Sequence, residues 1–225
     1  MGKRGPKPKK IISEEWSANL AYAIGLIATD GCLSKDGLLI DLTSKDREQL
    51  QNFSHCLGVK FTIGSKLNGH GGKNLRIQFK NRIFYDFLLS VGLTPRKSLV
   101  IGKIKIPDEF FFDFLRGCFD GDGSFYSYWD KRWRSSYMFY LTFSSASLAH
   151  IEWLRKQISI SSGVNGHISK AVIKGSIYNL RYAKKEALEI IEKMYYSGRV
   201  VCLSRKLKKI EKALAIEKKQ QKQYA

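Results

Sequence analysis

Two short stretches of this chain have residue types and spacing that could do chemistry. Residues 23–31 read Ala-Ile-Gly-Leu-Ile-Ala-Thr-Asp-Gly, residues 115–123 read Leu-Arg-Gly-Cys-Phe-Asp-Gly-Asp-Gly, and the two align without a gap. Both have Gly in third place, Asp in eighth and Gly in ninth, and Asp30 and Asp122 are 122 − 30 = 92 residues apart. A carboxylate at the C-terminal end of a helix sits where the helix dipole is already negative. Two such carboxylates brought together repel unless a cation intervenes, and an oxygen-rich site with few protein ligands suits Mg²⁺. Glycine inside a helix costs about 1 kcal/mol relative to alanine, so Gly25 and Gly117 need a reason. Close approach of two helix backbones supplies one. Gly31 and Gly123 are expected to end their helices in the left-handed conformation. Side-by-side packing of the two helices would then bring Asp30 to Asp122.

The elements around these stretches recur in the same order. Ser13-Glu14-Glu15-Trp16 has a capping residue followed by acids, which predicts a helix start. Leu20–Thr29 is apolar nearly all round, the pattern of a helix buried on more than one side. Strands are expected over Leu38–Thr43, Lys60–Leu67 and Leu75–Lys80, the last two joined through Asn68-Gly69-His70-Gly71-Gly72. Helical spacing over Asp46–Leu57 and Arg82–Val91 completes the first set. The second set has a helix at Phe111–Phe119, a strand at Tyr137–Ser144 and a helix at Leu148–Ile158. A hairpin of Val164–Lys174 and Ser176–Ala183 turns at Lys174-Gly175, and a helix covers Glu186–Tyr196. The closing segments agree as well: Arg96-Lys97 ends one set and Arg205-Lys206 the other. This is a tandem duplication.

The balance of charge points to the partner. Lys and Arg number 39 against 20 Asp and Glu, a net charge of +19. So much like charge destabilises a compact state unless a polyanion is the usual partner, and nucleic acid fits because each neutralised phosphate releases counterions. Hydrophobic residues make up 44% and aromatics 12%, so the chain has material for a core. No apolar run approaches the 18 or so residues of a membrane span, and export is not expected. Cys32, Cys56, Cys118 and Cys202 form no CxxC pair and read as small buried residues in a reducing compartment. His55, His70, His150 and His167 do not recur between the sets, which argues against a histidine–metal nuclease. No Ser or Cys has a base beside it to activate a nucleophile. The first ten residues are a basic arm; Arg4-Gly5-Pro6 could lie in a minor groove or simply stay solvated.

With these residues in view, the two nonamers resemble the paired motifs of the LAGLIDADG homing endonuclease family, and the resemblance covers residues 13 to about 215. It implies an α+β fold of two pseudo-symmetric αββαββα repeats, with motif helices at the interface and curved antiparallel sheets forming a DNA-binding saddle. The expected division is an arm over 1–12, a first repeat with linker over 13–105, a second over 106–215 and a charged tail over 216–225. The resemblance implies that Asp30 and Asp122 hold two or three Mg²⁺ ions, with Mn²⁺ able to substitute, helped by the carbonyls of Thr29 and Gly121. Such metals would generate hydroxide and stabilise the leaving 3′ oxygen. Lys97 and Lys206 are the candidates for stabilising the pentavalent phosphate, although phosphate-positioning charges would look the same. On the sheets, Arg76, Gln78 and Lys80 alternate with apolar residues, as do Asn179 and Arg181, so each set shares one face. Lys66, Ser44, Lys45, Arg132, Arg134, Lys170 and Lys174 complete the expected DNA contacts. Asp120 aligns with Ala28 and is secondary.

These implications describe a monomeric homing endonuclease that cuts both strands of a long DNA site. It would work in the cytoplasm or nucleoid of a prokaryote, or in an organelle matrix. The rival is a DNA- or RNA-binding protein on the same scaffold, such as an intron maturase or a regulator, with intron RNA as its partner. A binder has no need of aspartate at both eighth positions.

Overall fold

The structure, a computed structural model, describes residues 9–67, 71–133, 136–172, 176–196 and 199–223. The Arg4-Gly5-Pro6 arm, His70, Arg134 and Lys174 lie outside the described residues, as do Asn68-Gly69 and Gly175 of the expected turns.

The first repeat runs α1 (Ala18–Asp30), β1 (Gly31–Leu33), β2 (Leu39–Ser44), α2 (Arg47–Cys56), β3 (Ile63–Leu67), β4 (Lys73–Lys80) and α3 (Arg82–Ser90). The second runs α4 (Phe111–Asp122), β5 (Ser124–Trp129), β6 (Tyr137–Ser145), α5 (Leu148–Ser162), β7 (His167–Val172), β8 (Ser176–Ala183) and α6 (Lys184–Met194). A last helix, α7 (Ser204–Gln223), follows and passes without a break through residues 215 and 216, where the charged tail was expected to begin. Each repeat is therefore αββαββα. The sheets are four-stranded and antiparallel, in the orders β1-β2-β4-β3 and β5-β6-β8-β7. None of the helices among the described residues is long and apolar enough to cross a membrane.

The elements form where side-chain chemistry allows, with some corrections to the sequence reading. α1 starts four residues later than the acidic turn suggested. Ser17 is its N-cap and accepts from the Leu20 N–H at 3.1 Å, whereas the Ser13 hydroxyl only accepts from the Glu15 N–H two residues on. Leu20 to Ala28 are all buried, as expected of a helix apolar on every side. Strands β1 and β5 follow directly on the motif helices and were not separated from them by sequence; the first arm of the second hairpin starts at His167 as β7, three residues later than expected.

The two motif helices pack backbone to backbone. A β-carbon built on Gly25 would lie 2.8 Å from Cys118 N and 2.9 Å from Gly117 Cα. One built on Gly117 would lie 3.0 Å from Gly25 Cα. Only glycine at both places permits this crossing. Gly31 and Gly123 are not left-handed: their φ,ψ values are −86°, 155° and −74°, 158°, which is extended backbone. Their reason is also space, since a β-carbon would come within 2.6 Å of Ile27 O and of Phe119 Cα respectively. The chain leaves each helix by folding straight back over its last turn into a strand.

A buried polar lattice fixes the approach to α7. The Arg116 guanidinium donates to Met194 O at 2.6 Å, Val201 O at 2.8 Å and the Asp113 carboxylate at 2.6 Å. Asp120 accepts from the Tyr22 hydroxyl and from the Leu203 N–H, each at 2.7 Å. These bonds tie both motif helices to the segment that carries Lys206.

Candidate active site and nucleic-acid interface

Because α1 and α4 cross so closely, their C-terminal aspartates meet at the interface. The Asp30 carboxylate reaches across to the partner helix, where a β-carbon on Gly121 would lie 3.0 Å from its Oδ2. Burial raises the Asp30 carboxyl to about 6, and repulsion from Asp122 adds to it, while Gln49, Lys206 and Lys97 work in the opposite direction. Burial also raises Asp122, and Lys97 and Lys206 oppose the shift. Two half-desolvated carboxylates side by side are the arrangement that a cation relieves.

Both expected lysines arrive. Lys97, on the 3-10 turn Lys97–Leu99, is 5% exposed and donates to Thr29 O at 3.3 Å. Lys206, in the first turn of α7, is 6% exposed and donates to Phe119 O at 2.5 Å, Gly123 O at 2.7 Å and Gly121 O at 3.0 Å. The Thr29 and Gly121 carbonyls, expected to assist a metal, are thus each bonded to a lysine from the end of its own repeat. Burial lowers both ammonium groups, Lys206 to about 8, and the nearby carboxylates oppose the shift.

One residue at the centre was missed. Gln49, 2% exposed on α2, donates from Nε2 to Asp30 Oδ2 at 2.7 Å and accepts from Ser44 Oγ at 2.8 Å. Ser44 was expected to touch DNA; instead it is buried and holds Gln49. Register shows why Gln49 escaped notice. Ser44 pairs with Leu75 and Ser145 with Tyr178, and the helix N-caps follow at Asp46 and Ser147. The counterpart of Gln49 is therefore His150, whose Nδ1 lies 2.8 Å from Gly102 O and whose ring burial lowers to about 4. Search by recurrence passes over a pair that differs so much.

Nor do all of the basic residues share a face. Pairing of Asp41 with Gln78 and of Thr43 with Arg76 places these four on the solvent face of the first sheet, with Lys80 and Lys66 in register. Asp41 is hydrogen-bonded by Gln78 at 3.1 Å and ion-paired with Arg76 at 3.5 Å, and Arg76 donates to Gln78 Oε1 at 2.9 Å. Lys45 is exposed just beyond β2. On the second sheet, Asn179 and Arg181 share their face with Ser144 and Thr142, but Lys170 pairs with Tyr178 and so belongs to the opposite face. Its ammonium lies over the Tyr178 ring at 5.8 Å. Arg132 is bound by Asp130 in the β5–β6 turn.

Among the described residues no cluster of three or more His, Cys, Asp or Glu could cage a metal. The donor set that remains is two carboxylates with backbone carbonyls, which suits Mg²⁺ completed by water and phosphate oxygens.

Comparison with known proteins bears on the fold. Residues 17–99 match the family described as LAGLIDADG-like domain. No curated protein matches the sequence. The homing endonuclease I-WcaI bound to its DNA recognition sequence superposes with a TM-score of 0.58 at 16% identity, over 85% of this chain and 86% of that one. I-DmoI in complex with DNA and Mn gives 0.53 at 16% identity, over 80% and 97%. Full-length DUF199/WhiA from Thermatoga maritima gives 0.55 at 15% identity over 90% of this chain, which spans only 62% of the WhiA chain. At such identities the likeness is one of fold. The chain has a LAGLIDADG-like domain at residues 17–99 and, with its second motif helix and sheet, the two-repeat fold of the single-chain LAGLIDADG homing endonucleases.

Proposed function

We propose that the chain is a site-specific DNA endonuclease that hydrolyses phosphodiesters in both strands of a long, pseudo-palindromic site, using Mg²⁺ held by Asp30 and Asp122. The observation that carries this reading is the meeting of two partly desolvated carboxylates, Asp122 repelling Asp30, where the motif helices cross, with a lysine from the end of each repeat beside them. The DNA complexes of I-WcaI and I-DmoI support a DNA partner. Duplication supplies in one chain the two half-sites of a dimer, so the protein works as a monomer.

A bound Mg²⁺ supplies a nucleophile at neutral pH and Lewis acidity at the scissile phosphate. The protein's own groups do the rest. Gln49 holds the Asp30 carboxylate toward the interface. Lys97 and Lys206 place fixed positive charge against developing charge on the phosphate, in a site where burial strengthens it. The sheet faces bind the duplex on either side.

One observation favours the rival reading of a non-cleaving nucleic-acid binder: the Thr29 and Gly121 carbonyls are already bonded to lysines. Each carbonyl oxygen has a second lone pair, so lysine and metal can share it. The deciding experiment is cleavage of a randomised DNA library in Mg²⁺ by wild type, Asp30→Asn and Asp122→Asn, with binding measured in Ca²⁺. Site-specific double-strand breaks lost in both variants, with binding kept, establish the endonuclease. Tight, salt-dependent binding without cleavage by wild type leaves a binding module.

A further inference from the structure

The two sheet faces differ in chemistry where their fold is the same. The first is polar, with Asp41, Thr43, Arg76, Gln78 and Lys80. The second carries tyrosines, and the hairpin bearing them is longer. β1 and β2 pair through three residue positions, Gly31 to Leu33, whereas β5 and β6 pair through six, Ser124 to Trp129. Three extra positions at ~3.4 Å each extend the sheet by about 10 Å.

Register sets Tyr126 opposite Tyr140, with Tyr128 on the same face. They line one concavity with Thr142, Asn179 and Arg181. Tyr126 stacks on Tyr128 at 5.5 Å and 28°, and Tyr128 on Tyr140 at 6.3 Å and 14°. Arg181 lies 5.6 Å over the Tyr140 ring. Both faces of Tyr128 and Tyr140 and one face of Tyr126 are thereby spent on one another and on Arg181. What points away from the sheet is ring edge and hydroxyl, since strand side chains stand roughly perpendicular to it. Open faces would suit stacking on unpaired bases; edges do not. Edges suit apolar contact with the C5-methyl of thymine, which marks that base in the major groove. The Arg181 guanidinium beside them supplies positive charge toward the duplex.

We propose that the tyrosine face of the β5–β6 hairpin reads thymine methyl groups in one half of the DNA site, while the first repeat reads the other half by hydrogen bonds from Arg76 and Gln78. This rests on the double-stranded DNA reading given above. Tyr126 is 64% exposed and Tyr128 only partly buried, so their replacement does not threaten the fold.

The test selects a preferred duplex from a randomised pool with the full chain in Ca²⁺. That duplex is then remade with deoxyuridine for thymidine, one half at a time. Removing the methyls from one half is expected to weaken binding about fourfold per contacted thymine, the effect of losing one buried methylene-sized group. The same change in the other half has little effect. A chain with Tyr126→Ser and Tyr128→Ser is expected to bind the thymine and uracil duplexes equally, whereas Gln78→Ala keeps the difference. Insensitivity of wild type in both halves, or a thymine effect that survives loss of the tyrosines, overturns the inference while leaving DNA binding intact. Stronger binding to a single-stranded pool than to duplex overturns it in favour of base stacking. Failure to select any duplex overturns the endonuclease reading and this inference with it.

Discussion

Replacing Gly121 by alanine tests the interface at the residue that faces the other motif. A β-carbon there would lie 2.7 Å from Thr29 Cβ and 3.0 Å from Asp30 Oδ2, and would collide with the Thr29 hydroxyl. Overpacking of this kind costs about 1–3 kcal/mol. Alanine recovers about 1 kcal/mol of helix propensity, leaving a net loss of up to about 2 kcal/mol. Thr29→Gly alone should cost about 0.5 kcal/mol of propensity and about 1 kcal/mol more for the gap it leaves against Gly121, but no hydrogen bond across the interface, because the Thr29 hydroxyl donates only to carbonyls of its own helix, Gly25 O and Leu26 O. In the Gly121→Ala chain the same change removes the clash, so its sign should reverse and it should stabilise by about 1 kcal/mol, a coupling expected of residues in contact. Urea unfolding of the four chains at pH 7 in EDTA, followed by tryptophan fluorescence, measures all four stabilities. An equal cost of Thr29→Gly in both backgrounds would refute the packing account.

Three further outcomes follow from the same site. Asp30 is raised to about 6 in the folded chain, so folding without metal favours its protonated form. The stability of wild type relative to Asp30→Asn should therefore fall as pH rises from about 4 to about 6, and parallel urea midpoints across that range would exclude it. Lys206→Met leaves three carbonyls without their donor and Lys97→Met leaves one. The first should cost about 2–4 kcal/mol and the second about 1; equal losses in urea unfolding would count against the bonding described. Gln49→Leu removes the hydrogen bond that holds the Asp30 carboxyl down, and the Asp30 titration followed by carbon NMR should move above its wild-type position. An unmoved or lowered titration would show that Gln49 does not act on this carboxylate.

The parts of the fold and site legible in the sequence are those that recur. The motif helices aligned without a gap, and glycine in mid-helix is costly unless a second backbone comes close, so the crossing of α1 and α4 followed. Lys97 and Lys206 were legible because Arg-Lys stands at the end of both repeats. Strand β1 was not, being three residues long and starting at the motif glycine. Nor was β5, where Tyr126 and Tyr128 alternate with Phe125 and Trp129, so that both faces look apolar and no period of two stands out. The left-handed glycines were a wrong inference from a right observation. Gly31 and Gly123 are required by the turn beneath them, a contact that no local propensity encodes. Gln49 and Ser44 escaped because a hydrogen bond from a neighbouring helix to a motif aspartate leaves no periodic trace.

At a two-fold axis each residue meets its own copy, and that limits what a homodimer can place there. Two threonines at the position of Thr29 would collide at the spacing that Gly25 and Gly117 allow, and two glycines would leave a gap. Thr29 against Gly121 fills the space once, and only a chain carrying both halves can specify it. The same freedom runs outward from the axis. Asp30 has Gln49, while at the equivalent place His150 turns to the Gly102 carbonyl. One sheet presents Arg76 and Gln78, the other Tyr126 and Tyr128. The carboxylates therefore differ in their support and the sheets in their chemistry, so the site is symmetric in its backbone and not in the groups that would meet each strand.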